Sequence, residues 1–106
     1  MPLVVLTRRA EEDLERAYRW WATHRSKEQA DRWYVGIVDA MLSLEREPKR
    51  CPFAAENDLF PYELRQLHYG LGRKPTHRVV YTVRPDKVVV WRVRHLAQRA
   101  IRPLDI

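Results

Sequence analysis

The stretch HRVVYTVRPDKVVVWRVRH, residues 77–95, decides the fold. Residues 77–83 alternate between the two faces of a strand, which places Val79 and Tyr81 on one face. The next four residues have a proline where its fixed φ suits a type I turn, and the valine-rich residues 88–93 follow. The segment therefore predicts two antiparallel strands joined by a tight turn.

A further strand is predicted just before this hairpin. Residues 62–69 are rich in aromatic and aliphatic side chains, and the basic, glycine-containing segment 70–75 separates them from the next strand. Two consecutive hairpins in the C-terminal half would then form an antiparallel sheet. Residues 48–61 contain three prolines and no regular period, so they predict a loop that is long for a compact domain.

Two amphipathic helices are predicted in the N-terminal half, after a short strand at residues 3–6. Thr7 can cap the first helix, and Ser26 with Gln29 three residues later matches the capping box that begins the second. Residues 11–13 put negative charge near the positive end of the first helix. Apolar residues recur at helical spacing in both helices: Ala10, Leu14, Ala17, Tyr18 and Trp21, then Ala30, Trp33, Tyr34, Ile37, Met41 and Leu44. We interpret both stripes as core rather than as the lining of a ligand pocket.

The predicted fold class is α+β, with the order β-α-α-β-β-β over residues 1–106 as a single domain. A chain of this length has room for one modest core. The sheet is expected to be antiparallel, with the helical hairpin packed on one face because both helices have an apolar stripe that needs a partner. The other face is left for solvent or a ligand.

Positive charge is concentrated in the C-terminal half of the sequence. Residues 1–61 carry 10 Lys/Arg against 11 Asp/Glu, whereas residues 62–106 carry 10 against 3, so the second half accounts for the net charge of +6. Arginine outnumbers lysine by 16 to 4, which favours planar contacts to phosphates over simple solubilising charge. The pattern fits either a surface that faces a polyanion or a solvated basic surface.

Composition also excludes several classes of protein. Hydrophobic residues make up 45% and charged residues 32%, the balance of a soluble globular protein, and no apolar run approaches the roughly 20 residues of a membrane span. The first seven residues lack the features of a signal peptide, and the single cysteine, Cys51, suits a reducing compartment. We therefore expect a cytoplasmic protein. The four histidines and one cysteine have no metal-ligand spacing, so neither a metal nor another cofactor is expected.

Four segments, taken in order, are similar to the RelE/ParE toxin superfamily and together cover nearly the whole chain. The first is AEEDL at residues 10–14, which follows a strand, and the second is a helix rich in apolar i, i+4 positions that ends near Pro48. The third is ELRQL at residues 63–67, which is similar to the family's LR-x-L strand. The fourth is HRVVYTV at residues 77–83, which is similar to the family's YR-hydrophobic-hydrophobic-Y strand and is followed by a turn, a valine-rich strand and Val93-Arg94-His95. No single segment is specific. Their order and spacing carry the resemblance.

The resemblance implies the toxin of a type II toxin–antitoxin system, a growth inhibitor of the plasmid-stabilisation kind that a cognate antitoxin neutralises. Such an antitoxin would be expected to lay a helix or an extended strand over exposed apolar and basic surface. One branch of the superfamily binds and inhibits DNA gyrase, and the other cleaves messenger RNA on the ribosome. The target is therefore either gyrase or the ribosome with its messenger RNA, and no membrane partner is expected.

Basic residues of the predicted sheet form the candidate site. Arg65 and Arg78 are expected to project from neighbouring strands onto the face away from the helices. Grouped guanidinium ions suit the binding of phosphates and the stabilisation of a phosphoryl-transfer transition state. In the ribonuclease branch Arg65, Arg78 and His95 would be catalytic, with His95 as acid or base because imidazole titrates near neutrality. The full candidate set for binding the target or nucleic acid is Arg65, Arg73, Lys74, Arg78, Arg92 and Arg94.

Two observations bear on the choice between these hypotheses. By strict alternation His95 shares a face with Trp91 and Val93, which could place it against the helices as a packing residue. Toxins of the RNA-cleaving branch commonly carry a tyrosine near the C-terminus, whereas no tyrosine follows Tyr81 here. Binding of gyrase is therefore slightly favoured, with ribosome-dependent cleavage of messenger RNA as the alternative. A third hypothesis is an inactive family member retained as a binding module or antitoxin decoy.

Overall fold

Two helices and a four-stranded sheet form the protein in the computed structural model, which describes residues 3–106. The helices and strands are β1 (Leu3–Leu6), α1 (Arg8–His24), α2 (Lys27–Leu42), β2 (Arg65–Tyr69), β3 (His77–Val83) and β4 (Lys87–His95). Short 3-10 turns lie at Ser43–Glu45, Pro48–Arg50, Asn57–Leu59 and Pro103–Asp105. The predicted α+β class and the order β-α-α-β-β-β are confirmed.

Side-chain caps begin both helices where the sequence places them. The Thr7 hydroxyl accepts a hydrogen bond from the Ala10 amide (3.1 Å), and the Ser26 hydroxyl accepts one from the Gln29 amide (3.0 Å). Each cap satisfies an amide that has no partner within its own helix. Thr7 also donates its hydroxyl proton to the Trp91 carbonyl oxygen (2.8 Å), which joins the start of α1 to β4.

The strand order is β1-β4-β3-β2, and the sheet is mixed rather than purely antiparallel. β4 pairs antiparallel with β3, and β3 with β2, as predicted. β1, however, pairs parallel with β4, in a register that runs from Leu3↔Lys87 to Leu6↔Val90. The prediction of an all-antiparallel sheet is wrong for this strand. Hairpin turns define pairs only between consecutive strands, and both helices and two other strands separate β1 from β4.

The helix pair covers one face of the sheet, as predicted. The core beneath it is built from Ala10, Leu14, Trp33, Ile37 and Met41 on the helices and from Val79, Tyr81, Val88, Val90 and Val93 on the strands. Burial of these side chains is the main stabilising contribution, at about 25 cal/mol per Å² of apolar surface. The interpretation of the apolar stripes as core is therefore confirmed for most of their residues. The exceptions are Tyr34, which is 42% exposed, and Tyr18, which lies outside the core and donates its hydroxyl proton to Asp31 (2.6 Å).

The opposite face of the sheet is also covered, which corrects the expectation that solvent or a ligand would meet it. A smaller apolar cluster, here called the far core, lies on that face and consists of Ala54, Leu64, Val80 and Ile101. Phe60, Tyr62, Trp91 and Ile106 pack around it. The loop before β2 and the segment after β4 thus form a third layer. Neither segment has a helical or strand period, so the sequence pattern does not indicate that it is buried.

A β-bulge changes the faces on which the last residues of β4 lie. Val80 pairs with Arg92 while Tyr81 pairs with Val90, so Trp91 is the extra residue. Trp91 packs against the far core, whereas Val93 belongs to the core beneath the helices. The alternation assumed from the sequence therefore fails here, because Trp91 and Val93 lie on opposite faces.

Gly36 marks a close approach of α2 to β2. A methyl group added at Gly36 would lie 1.8 Å from the Tyr69 hydroxyl oxygen and 2.7 Å from the ring carbon that carries it. Alanine is preferred to glycine inside a helix by about 1 kcal/mol, but this overlap requires either the Tyr69 ring or α2 to move from its packed position. We expect Gly36→Ala to lower the Tm in spite of the better helix propensity, as measured by circular dichroism during heating.

Gly72→Ala is the matched control, since a methyl group there meets no atom within 4 Å. Its Tm should stay within about 3 °C of the wild-type value. Adding Tyr69→Phe to Gly36→Ala should recover part of the loss, because the hydroxyl oxygen is the nearest atom. An unchanged or higher Tm for Gly36→Ala would contradict the close packing of α2 on Tyr69.

Candidate functional site

Arg78 is held in a buried ion pair rather than on an open surface. Its terminal nitrogens donate to both carboxylate oxygens of Glu56, at 2.8 Å for Oε1, and to Oε1 of Gln66 at 2.9 Å. Arg78 and Glu56 are 8% and 4% exposed. The pair joins β3 to the loop before β2, so the terminal nitrogens of Arg78 are already engaged inside the protein.

Glu56 is the central residue of this cluster, and the sequence analysis missed it. Its Oε2 also accepts a hydrogen bond from the Ile101 amide (2.8 Å). The hydrogen bonds from Arg78 lower the pKa of Glu56 to about 2 against the opposing effect of burial, and the Ile101 amide adds to the lowering. Glu56 is therefore a carboxylate at neutral pH. No local signal marks it, because its partners lie 22 and 45 residues away in the chain.

Arg94 lies beside Arg78 on the far face of the sheet, because the two residues are cross-strand partners. It is 5% exposed and donates to the Arg99 carbonyl oxygen (3.0 Å). Burial, followed by the nearby charge of Arg92, lowers the pKa of the Arg94 guanidinium. The cation is bound to the segment after β4 and does not face solvent.

Arg92 is bound by Asp13 of α1. Its Nε and one terminal nitrogen donate to the two Asp13 carboxylate oxygens at 2.8 and 2.9 Å, and its other terminal nitrogen donates to the Asp105 carbonyl oxygen (2.6 Å). Asp13 also accepts a hydrogen bond from the Val93 amide (2.9 Å). The sequence indicates only that Asp13 is a charge near the start of a helix. In the structure it joins that helix to β4.

Arg65 lies on the other face of the sheet from Arg78, which corrects the prediction that the two project together. It is the cross-strand partner of Tyr81, whose side chain belongs to the core beneath the helices. Its guanidinium donates to the carbonyl oxygens of Lys49 (3.1 Å) and Cys51 (2.7 Å). A shift of one residue in the pairing of β2 with β3 would place the Arg65 side chain on the opposite face of the sheet, and the sequence pattern does not determine that register.

His95 lies on the helix side of the sheet, where it is the cross-strand partner of His77. The two ring centroids are 5.1 Å apart, and the His77 ring also contacts Trp33 at 5.0 Å. Burial, with a further effect of His95, lowers the pKa of His77 to about 4, so His77 is neutral near pH 7. The sheet therefore separates His95 from Arg78.

Arg73 and Lys74 are the predicted site residues that remain on the surface. Both are exposed in the segment between β2 and β3. This segment lies at the same end of the sheet as His95, because the Leu96 amide donates to the Thr76 carbonyl oxygen (2.8 Å). The accessible part of the predicted basic surface is thus one end of the sheet rather than one of its faces.

The predicted basic residues therefore occupy three places and do not form one cluster. Arg78, Arg92 and Arg94 are bound inside the protein, Arg65 lies on the helix side, and Arg73 and Lys74 lie on an exposed turn. Acid–base catalysis of phosphoryl transfer needs a proton-transfer group beside the cations that bind the phosphate. The structure does not bring Arg65, Arg78 and His95 together for that purpose.

An open groove lies between α1, α2 and the end of β1 and is here called the outer groove. It has a volume of about 820 Å³. Its lining combines the apolar or aromatic residues Leu6, Leu14, Tyr18, Tyr34 and Val35 with the carboxylates Glu11, Glu15 and Asp31. Tyr34 and Val35 are 42% and 59% exposed. Contiguous exposed apolar side chains of this kind are typical of a surface that binds another protein.

The part of the chain that the structure describes contains no group of three His, Cys, Asp or Glu side chains placed to hold a metal ion. None of the helices between residues 3 and 106 is both long enough and apolar enough to cross a bilayer. Cys51 is free and 7% exposed.

The arrangement of helices and strands is shared with a solved toxin–antitoxin structure. Its chain is described as "Chromosomal ParDE TA system from P. aeruginosa" and superimposes with a TM-score of 0.71. The two sequences are 18% identical, and the match covers 90% of this chain and 96% of that chain. The fold is therefore of the class found in that ParDE system.

A family model described as "ParE toxin of type II toxin-antitoxin system, parDE" matches residues 4–100. A comparison with curated proteins finds no match. The chain belongs to the ParE toxin family, and the resemblance to the RelE/ParE superfamily is confirmed. The protein is thus the toxin of a type II toxin–antitoxin system, with a cognate antitoxin as its partner.

The Glu56–Arg78 pair should make stability depend on pH in the acid range. A carboxyl with a pKa of about 2 when folded and 4.5 when unfolded stabilises the fold above pH 4.5, and this contribution is lost as the pH falls towards 2. Glu56→Gln leaves Arg78 buried without its counterion, which costs roughly 3–5 kcal/mol. We expect a large difference in unfolding free energy between the wild type and Glu56→Gln at pH 7 and a much smaller one near pH 2, measured by urea unfolding.

Glu63→Gln is the control for this experiment. The Glu63 side chain is 57% exposed and contacts Arg65 only at 3.5 Å. Its removal should change the unfolding free energy by no more than about 1 kcal/mol at any pH, as for other exposed pairs. A difference for Glu56→Gln that stays constant from pH 7 to pH 2 would show that the charge of Glu56 does not stabilise the fold.

Proposed function

We propose that this toxin stops growth by binding DNA gyrase as a non-catalytic inhibitor. The observation that carries the proposal is the separation of the predicted catalytic residues, with His95 on the helix side of the sheet and Arg78 on the far side. An endoribonuclease needs such groups within reach of one phosphate, whereas a binding inhibitor does not. Membership of the ParE family supports the same choice.

Burial of the arginines supports a binding role over RNA cleavage as well. Arg78 and Arg94 are at most 8% exposed, and the Arg92 side chain is 11% exposed and bound to Asp13. Cations that are paired or covered in this way give little attraction for a nucleic acid backbone. Much of the positive charge in the second half of the chain therefore stabilises the fold instead of forming a phosphate-binding sheet.

The target-binding surface in this proposal is the end of the sheet that carries Arg73 and Lys74. An exposed Arg-Lys pair can contact acidic side chains of gyrase or the phosphates of the DNA that gyrase holds. The turn between β3 and β4, with Arg84 and Lys87, lies at the other end of β3 and is exposed too. These two basic turns allow the proposed surface to be tested against an equivalent one.

The antitoxin is proposed to occupy the outer groove. Its apolar lining suits the hydrophobic side of a helix or strand that lies along the hairpin. The carboxylates of Glu11, Glu15 and Asp31 in its lining favour a segment that carries lysine or arginine at matching positions. An antitoxin in this groove leaves the turn with Arg73 and Lys74 uncovered. To neutralise the toxin, the antitoxin would need either a second segment that covers this turn or enough bulk to keep gyrase from approaching it.

The proposed setting is the cytoplasm, with residues 1–106 acting as one toxin domain. Gyrase and its DNA are found there, and a free, buried thiol at Cys51 is compatible with a reducing compartment. Neutralisation by an antitoxin would give the pair a role in plasmid stabilisation wherever a plasmid carries both genes.

Expression of the chain without its antitoxin should arrest growth, trap gyrase on cleaved DNA and leave messenger RNA intact. Trapped gyrase is measured as DNA covalently linked to protein, and the messages are mapped by primer extension in the same cells. Unimpaired growth in cells that contain the folded protein would contradict the proposed inhibition of gyrase. Cut messages without trapped gyrase would establish ribosome-dependent cleavage of messenger RNA instead.

The double variant Arg73→Gln/Lys74→Gln tests which surface contacts the target. Loss of two charged contacts should weaken inhibition of purified gyrase roughly tenfold. The matched control is Arg84→Gln/Lys87→Gln, which removes the same two charges from the other end of the sheet and should change the inhibition by less than about twofold. Equal losses in both variants would assign the effect to overall charge and not to this surface.

Val35→Asp tests the antitoxin site. A charge in the apolar part of the outer groove should weaken binding of the cognate antitoxin at least about tenfold, as truncation of a central interface residue does, while growth arrest persists. The measurement is isothermal titration with purified antitoxin, together with rescue of growth. Leu59→Asp is the control, because Leu59 is also 59% exposed and does not line the groove. Full binding by Val35→Asp would place the antitoxin elsewhere.

A further inference from the structure

We propose that the pocket between the C-terminal half of α1 and the end of β4 binds a nucleoside phosphate, with its base on Trp20 and its phosphate on Arg16 and Arg25. The pocket has a volume of about 530 Å³ and shares no lining residue with the outer groove. This site goes beyond the proposed inhibition of gyrase and does not depend on it.

Trp20 gives the pocket an exposed aromatic surface. The side chain is 47% exposed although tryptophan is usually well buried. Its ring is stacked on His24 with centroids 4.8 Å apart, and it lies nearly perpendicular to the Trp21 ring at 5.5 Å. These contacts fix the orientation of the indole. A fixed and exposed indole is the kind of surface on which a nucleobase stacks.

Two arginines place positive charge around this ring. Arg16 lies one helical turn before Trp20 with a side chain that is 68% exposed. The Arg25 guanidinium lies over the Trp20 ring, 5.8 Å from its centroid, so a base that stacks on this ring would also contact Arg25. Arg16 contacts Asp13 only at 3.4 Å, whereas the Asp13 carboxylate is bound by Arg92 at 2.8 Å. Asp13 therefore does not neutralise Arg16, and two guanidinium ions suit the oxygens of a phosphate.

The other polar groups at the pocket present donors. His95 Nδ1 accepts a hydrogen bond from the Ala97 amide (3.0 Å), so neutral His95 carries its proton on Nε2. The Gln98 Oε1 accepts a hydrogen bond from the His95 amide (2.7 Å), which leaves the NH₂ group as its free end. Asp13 is the carboxylate in the lining, and both of its oxygens already accept hydrogen bonds. An occupant must therefore supply acceptors and negative charge, and a phosphate supplies both.

The inner wall of the pocket is uncharged at neutral pH. It contains His77, which is 8% exposed and stays neutral because burial lowers its pKa to about 4, and Val93, which is 4% exposed. The buried Asp13 carboxylate is paired with Arg92, and the charges that remain free are on the exposed Arg16 and Arg25. A nucleotide has the matching distribution, because its planar base is weakly polar and its phosphate is charged.

Size and hydrogen-bonding capacity favour a nucleotide over an acidic peptide. The volume falls in the range of roughly 300–1,000 Å³ that is usual for small-ligand sites. A peptide with one aromatic and one acidic residue would supply a ring and a charge. A phenylalanine ring, however, lacks the acceptor atoms that a base edge presents to donors such as His95 Nε2 and the Gln98 amide. An acidic peptide is therefore the less suitable occupant of this pocket.

The test is a titration of the full chain with AMP, followed by tryptophan fluorescence and by amide chemical shifts of Thr76, His95 and Gln98. AMP should bind saturably with a Kd of about 1 mM or lower. Trp20→Ala should weaken binding about tenfold, the loss expected for one stacked base, and Trp20→Phe should retain most of it. Arg16→Gln should also weaken binding. Arg19→Gln is the control on the same helix, because Arg19 does not line the pocket and contacts Glu15 at 3.4 Å.

A second set of probes identifies the source of the ligand. Tighter binding of a single-stranded tetranucleotide of thymidine than of AMP would assign the site to a strand of nucleic acid, and the reverse would assign it to a free nucleotide. Either result supports the proposal. Three results would overturn it: no saturable binding up to about 10 mM AMP, inorganic phosphate binding as tightly as AMP, or binding of N-acetyl-Asp-Phe in the absence of AMP binding. Thermal unfolding of each variant separates a lost site from a lost fold.

Discussion

The carboxylate of Glu56 is the constraint that holds together the segments on the face of the sheet opposite the helices. It binds Arg78 of β3 and the Ile101 amide, so the loop before β2, the middle of the sheet and the C-terminal segment meet at one charged group. Asp13 has the same role on the helix side, where it binds Arg92 and the Val93 amide. Removing one partner from a buried ion pair leaves an uncompensated charge, so each of these segments is held in place by the others.

These two carboxylates explain how a strongly basic chain can lack a basic sheet. Several arginines of the second half are directed inward, to carboxylates and main-chain oxygens of neighbouring segments, and they join three layers of structure. Among the predicted site residues, those whose positive charge remains accessible lie at one end of the sheet. That end carries the turn with Arg73 and Lys74, and the pocket beside Trp20 lies close to it because Thr76 and His95 line the pocket. The surfaces proposed for the target and for a nucleotide therefore both lie where the loops meet, whereas the faces of the sheet are used for stability.

Local patterns in the sequence predicted the elements, while contacts between distant residues determined the site. The capping residues Thr7 and Ser26, the helical stripes and the β3–β4 turn each depend on neighbours in the chain, and each was predicted correctly. The bulge at Trp91 and the register that turns Arg65 away from Arg78 depend on how consecutive strands align, which their sequence patterns do not determine. The parallel pairing of β1 depends on a strand that is far away in sequence. Glu56 could not be identified for the same reason, since only the folded chain brings it to Arg78. An arginine in a strand has the same sequence signature whether it binds a phosphate or a buried carboxylate.

The pairing of β1 with β4 also sets an order of events during synthesis. Leu3 has no strand partner until Lys87 and the residues after it have been made, because the sheet order places the first strand beside the last. A nascent chain can form its two helices early, but it cannot complete the sheet or the end that carries Arg73 and Trp20. Contacts between such distant residues form slowly compared with local ones. Toxicity should therefore begin only after nearly the whole chain has left the ribosome, which gives an antitoxin made at the same time an interval in which to bind.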